Sequence, residues 1–148
     1  MLPSSLLWER IRSVVDGIEN RLAKNLQRDH GLGLSEYRAL QYLAVAANSE
    51  LRMQELAHLL GLNQSSVTRV AERLEKAGYT QRDLCPNDKR GVYTVLTEQG
   101  RKVQSLAGDD YALYIQAALD EAELNEENMQ IVPCLRGLLS ALPNSAKV

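Results

Sequence analysis

A chain of 148 residues has the length of one ordinary domain, which excludes an enzyme built of two lobes around a deep cleft. With 45% hydrophobic and 24% charged residues, the composition is that of a globular core and excludes a disordered or fibrous chain. The formal net charge of −2 hides an asymmetry, since residues 51–104 carry nine Lys/Arg against six Asp/Glu, residues 1–50 six against six, and residues 105–148 two against seven.

In chain order, Leu7, Ile11, Val14, Ile18, Leu22 and Leu26 recur at helical spacing with charges between them, which predicts a long amphipathic helix. Gly31 and Gly33 break that pattern. Ser35 is the expected N-cap of a second helix through Tyr37, Leu40, Leu43, Ala44 and Ala47, ended by Asn48-Ser49-Glu50. Met53, Leu56, Ala57 and Leu60 then follow the i, i+3, i+4, i+7 template up to Gly61, whose freedom at positive φ suits a tight turn. Asn63 or Gln64 can cap the next helix, in which Val67, Val70, Ala71 and Leu74 repeat the template up to Gly78. Two short helices around a Gly-containing turn make a helix-turn-helix.

Past Gly78 the period changes. Tyr79 to Cys85 and Val92 to Leu96 read as two strands joined by Pro86-Asn87-Asp88-Lys89-Arg90-Gly91, which has no apolar side chain to bury. Thr97 caps a helix through Val103, Leu106, Tyr111, Tyr114 and Ala118, and Asn125 caps a last one through Ile131, Leu135, Leu138 and Leu142. Pro133 falls inside that last pattern, where it should kink or restart the helix. The expected fold is mostly α with a small β-hairpin wing (α+β), a winged helix-turn-helix flanked by helices at both ends.

With its apolar residues inward, the helix from Gln64 turns Ser65, Ser66, Thr68, Arg69, Glu72, Arg73 and Lys76 outward. Early hydroxyls and the unsatisfied N–H groups of a first turn can hold phosphate oxygens, and Arg69 can place its fork on guanine in a major groove. The plain alternative is a surface helix whose Arg69 and Arg73 are answered by Glu72 and Glu75. In the following hairpin, Asp88 can hold Arg90 extended through a charge-assisted hydrogen bond, and an extended Arg suits a narrow, A·T-rich minor groove. A hairpin that is merely solvated is the alternative there.

The run from Met53 to Gly100 resembles the winged helix-turn-helix of the MarR family of transcriptional regulators. Its markers are Ser65-Ser66-Val67-Thr68-Arg69, Leu74-Glu75-Lys76-Ala77-Gly78, Asp88-Lys89-Arg90 and Leu96-Thr97-Glu98-Gln99-Gly100, and the flanking helices match the family's order. The resemblance implies a single domain over residues 1–148, with DNA-binding residues 35–100 and dimerisation helices over 4–30 and 101–145. It implies a homodimer on a pseudo-palindromic operator of double-stranded DNA, released by a small ligand and acting as a repressor. Two-fold symmetry agrees with this physically, because successive major grooves on one face of DNA lie about 34 Å apart. The apolar faces of the first and last helices, with Ile131, Leu135, Leu138 and Leu142 near heptad spacing, are material for the dimer interface. The DNA-binding candidates are Gln64, Ser65, Ser66, Thr68, Arg69, Arg73, Asp88, Lys89 and Arg90.

The family's usual effector crevice directs attention to Trp8, Arg12, Tyr37, Tyr42 and Tyr111, since aromatics with one cation suit a small aromatic or phenolic anion. Core packing is the alternative for each. Cys85 lies beside the basic hairpin, where cations lower a thiol's pKa, and a redox-responsive regulator is therefore a second reading. The peroxide-sensing members of the family share a cysteine near the start of the first helix, and none stands there. The spacing of Cys85 and Cys134 is neither that of a disulfide framework nor of a metal site, and His30 and His58 are scattered. No nucleophile–base pair, carboxylate dyad or phosphate-binding Gly loop is visible, so neither catalysis nor a cofactor is expected; a protein-interaction module is the remaining competitor. No run approaches the roughly 20 apolar residues of a membrane span, and Glu9, Arg10 and Arg12 interrupt any signal-peptide core, so no membrane partner and a cytoplasmic location are expected.

Overall fold

The computed structural model describes residues 2–84 and 92–141. Among these residues six α-helices and three strands follow one another as α1 (Ser4–His30), α2 (Leu34–Val45), β1 (Glu50–Arg52), α3 (Met53–Leu60), α4 (Gln64–Lys76), β2 (Thr80–Leu84), β3 (Val92–Leu96), α5 (Glu98–Glu123) and α6 (Ile131–Ala141). The chain divides into two compact units: one is Asn25–Tyr111, and the other combines Met1–Lys24 with Ala112–Val148.

In the central unit Leu26, Tyr37, Leu40, Leu43, Leu56, Val67, Val70, Ala71 and Leu74 are buried, as their spacing predicted, and Leu32 and Ala39, which no periodicity singled out, join them. Between α3 and α4 the chain turns at Gly61, in the left-handed region at φ 65°, where a side chain would be strained. Asn63 begins α4 by accepting from the Ser66 backbone N–H at 2.9 Å, so Asn63 is the cap and Gln64 is the first helical residue. The cap of α2 differs from expectation. It is Gly33, not Ser35, because Glu36 at the third helical position reaches back to the Gly33 N–H at 3.3 Å.

The sheet has three strands in the order β1-β3-β2, one more than the hairpin read from the sequence. β1 pairs antiparallel with β3, Leu51 opposite Thr94 and Arg52 opposite Tyr93, and the Arg52 Nε donates to the Tyr93 hydroxyl at 2.8 Å. The end of α4 and the start of α5 are tied by Thr97. Its hydroxyl donates to the Gly78 carbonyl at 2.7 Å and accepts from the Gly100 N–H at 3.0 Å. Gly100 is required at that point, since a Cβ there would collide with the Tyr79 carbonyl oxygen.

In the unit formed by the chain ends, Val14, Leu22, Tyr114, Ala118, Leu119, Ile131 and Val132 are buried. Arg10 pairs with Glu127 and Arg21 with Glu121, while Arg136 reaches Asp120 at 2.6 Å and Glu123 at 3.2 Å. The last helix is shorter than its pattern predicted. Asn125 caps only a 3-10 turn, Glu126–Asn128, and α6 begins afresh at Ile131. Pro133 thereby sits in the first turn of α6, where its missing N–H would lack an intrahelical partner anyway, so it restarts the helix without breaking it. Among the described residues no helix is long and apolar enough to cross a membrane.

Candidate nucleic-acid interface

The outward face of α4 is built from its capped end. Asn63 Oδ1 also accepts from the Ser65 hydroxyl at 3.0 Å, and the Thr68 hydroxyl donates to the Gln64 carbonyl at 2.8 Å. These bonds use the hydrogens of the two hydroxyls and leave both oxygens able to accept. Gln64 and Ser65 are exposed, Ser66 and Thr68 half-buried, and Arg69, Glu72, Arg73 and Lys76 exposed beyond them.

Both carboxylates of this helix and Arg73 find partners on other elements. Glu75 does not answer Arg73; it accepts from Arg82 of β2, with Nε 2.9 Å from Oε2, and Glu72 lies 4.0 Å from the same guanidinium. Arg73 lies 3.7 Å from Glu36 of α2. Among the described residues Arg69 has no hydrogen bond or ion pair. Asp88, Lys89 and Arg90, like Cys85, lie outside the described residues; strand pairing runs as far as Leu84 opposite Val92.

The effector candidates fall in both units. Tyr37 and Tyr111 come together, their ring centroids 4.5 Å apart and tilted by 33°, and the Arg38 guanidinium donates to the Tyr111 hydroxyl at 3.4 Å. Burial first, then Tyr111 and Asp109, push the Tyr37 phenol up to about 12. Tyr42 is half-buried on α2. In the unit of the chain ends, Trp8 is 59% exposed and so is not core, and Arg12 pairs with Glu9 at 3.0 Å. His30 Nε2 lies 2.7 Å from Asp110 Oδ2, His58 is exposed on α3, and among the described residues no group of His, Cys, Asp and Glu could hold a metal ion. Arg38, Glu36 and Arg82 went unnoticed in the sequence, because each acts through a partner on another element.

A capped helix with hydroxyls at its start and cations beyond, set after a helix and a tight turn and followed by paired strands, defines a winged helix-turn-helix DNA-binding protein. The MarR family model matches residues 30–91. The chain is 30% identical over 105 residues to the uncharacterized HTH-type transcriptional regulator YkoM of Bacillus subtilis, a match covering 71% of this chain and 67% of YkoM. It is 32% identical to the transcriptional repressor MprA of Escherichia coli over 57% of this chain and 47% of that protein. Among solved structures, Sco3205, a MarR family transcriptional regulator from Streptomyces coelicolor in complex with DNA, superposes with a TM-score of 0.74 at 29% identity, covering 99% of this chain and 92% of that one. The chain belongs to the MarR family: it is a DNA-binding transcriptional regulator and not an enzyme.

Proposed function

We propose that the chain acts as a homodimeric repressor on a pseudo-palindromic operator and is released from it by a small aromatic or phenolic ligand. Residues 35–100 form the DNA-binding region, and residues 4–30 and 101–145 the dimerisation region. Arg69 and Arg73 enter the major groove, Gln64, Ser65, Ser66 and Thr68 set phosphate register or add base contacts, and Asp88, Lys89 and Arg90 belong to a wing that meets the minor groove. The observation that carries this reading is the bare guanidinium of Arg69 on the outward face of a capped α4. The DNA bound in the Sco3205 complex and the repressor name of MprA support it. Large apolar side chains left in water in the unit of the chain ends, among them Leu6, Trp8, Met129, Leu138 and Leu139, support self-association. Tyr37, Tyr111 and Arg38 offer stacking and a cation to the effector, with Trp8, Arg12 and Tyr42 the other candidates.

Duplex fragments recovered from the genome by the purified protein provide the test. In a mobility-shift titration Arg69→Ala should weaken binding by about tenfold or more, the usual worth of a bidentate base contact, with thermal unfolding unchanged. Equal affinities for the two proteins would remove Arg69 from the interface.

A further inference from the structure

A helix that approaches phosphate oxygens gains nothing from carboxylates, yet α4 carries Glu72 and Glu75 among the cations of its outward half. Glu72 follows Arg69 by three residues and precedes Lys76 by four, the spacings at which helical ion pairs form. Left to itself, α4 would close its recognition guanidinium onto its own carboxylate. The structure shows another pairing. Arg82, anchored on β2 opposite Thr94 of β3, lies 2.9 Å from Glu75 and 4.0 Å from Glu72, and Arg69 stays unpaired.

We propose that Arg82 is a positioning residue for operator binding: by occupying Glu75 and drawing Glu72 aside, it keeps Arg69 available. This rests on the assignment of α4 to DNA and deepens it. Stability is a poor explanation for the cluster, because all three side chains are exposed, at 43–60%, and exposed pairs of this kind contribute little. What the cluster does change is the partner that each carboxylate takes. In the free protein Arg82 satisfies the acids of α4, and the strand that carries it thereby sets the electrostatics of the helix beside it.

The test is a mutant cycle read by duplex titration, with thermal unfolding of each variant. Arg82→Gln should lose about tenfold in affinity, in the range of coupled neighbours. Removing both carboxylates, with Glu72→Gln and Glu75→Gln, should restore that loss and gain several-fold more in the Arg82→Gln background than in the wild type. In an Arg69→Ala background, Arg82→Gln should cost less than twofold. Arg82→Met, which keeps an apolar stem, replaces the Gln variant if that one unfolds. Unchanged affinity in Arg82→Gln, or an equal gain from carboxylate removal in both backgrounds, overturns the proposal, since the second result means that Arg82 touches DNA itself or acts only by net charge. A wild type that binds no duplex overturns instead the assignment of α4 on which the proposal stands.

Discussion

Tyr37 and Arg69 show how environment assigns roles to side chains. Tyr37 is buried against Tyr111, and its hydroxyl faces Gly108 of α5, where an added Cβ would lie only 3.4 Å away. Burial disfavours the phenolate, so the folded state holds the proton up to about 12, while an unfolded tyrosine gives it up near 10. Between those values the unfolded chain binds fewer protons than the folded one, so stability falls as pH rises. The contribution is complete below pH 10 and lost by about 12, a change of roughly 2–3 kcal/mol from a shift of this size. Denaturant unfolding at pH 9 and pH 11 should show about half of this fall in the wild type and a smaller one in Tyr37→Phe. Identical pH dependence in the two would mean that Tyr37 titrates as though it were in water.

At the level of elements, α3 and α4 were legible because their apolar residues, Met53, Leu56, Ala57 and Leu60 in the first and Val67, Val70, Ala71 and Leu74 in the second, repeat at the helical period and end at glycines. β1 was not, since three residues carry no period and exist as a strand only by pairing with β3, more than 40 positions away, at Leu51 opposite Thr94. The same divide runs through the site. Ser65 and Arg69 could be placed on an outward face from spacing alone, whereas the link from Arg82 to Glu75 is tertiary and left no local trace. Starts of helices misled at Gly33, which caps α2 in place of Ser35, and at Asn125, which caps only a 3-10 turn ahead of α6. Asn63 was one of the two caps the sequence offered, with Gln64, and its loss is a clean test of the element it begins. Asn63→Ala removes the acceptor of the Ser66 N–H and the Ser65 hydroxyl, and should cost about 1 kcal/mol of stability, the usual worth of an N-cap. Denaturant unfolding measures it, and a variant as stable as the wild type would show that α4 is held by packing alone.

Over the whole molecule, the average charge of −2 gives no hint of a polyanionic partner, whereas its distribution along the chain does. A regulator of this kind gains affinity by displacing the cations condensed on DNA, so a basic segment of modest net charge suffices when its side chains reach phosphate. The direct measurement of the central claim is the affinity for a recovered duplex as salt concentration is raised. If α4 and its neighbouring cations neutralise phosphates, the logarithm of the binding constant will fall linearly and steeply with the logarithm of salt. A flat response, with binding as tight in concentrated as in dilute salt, would contradict it.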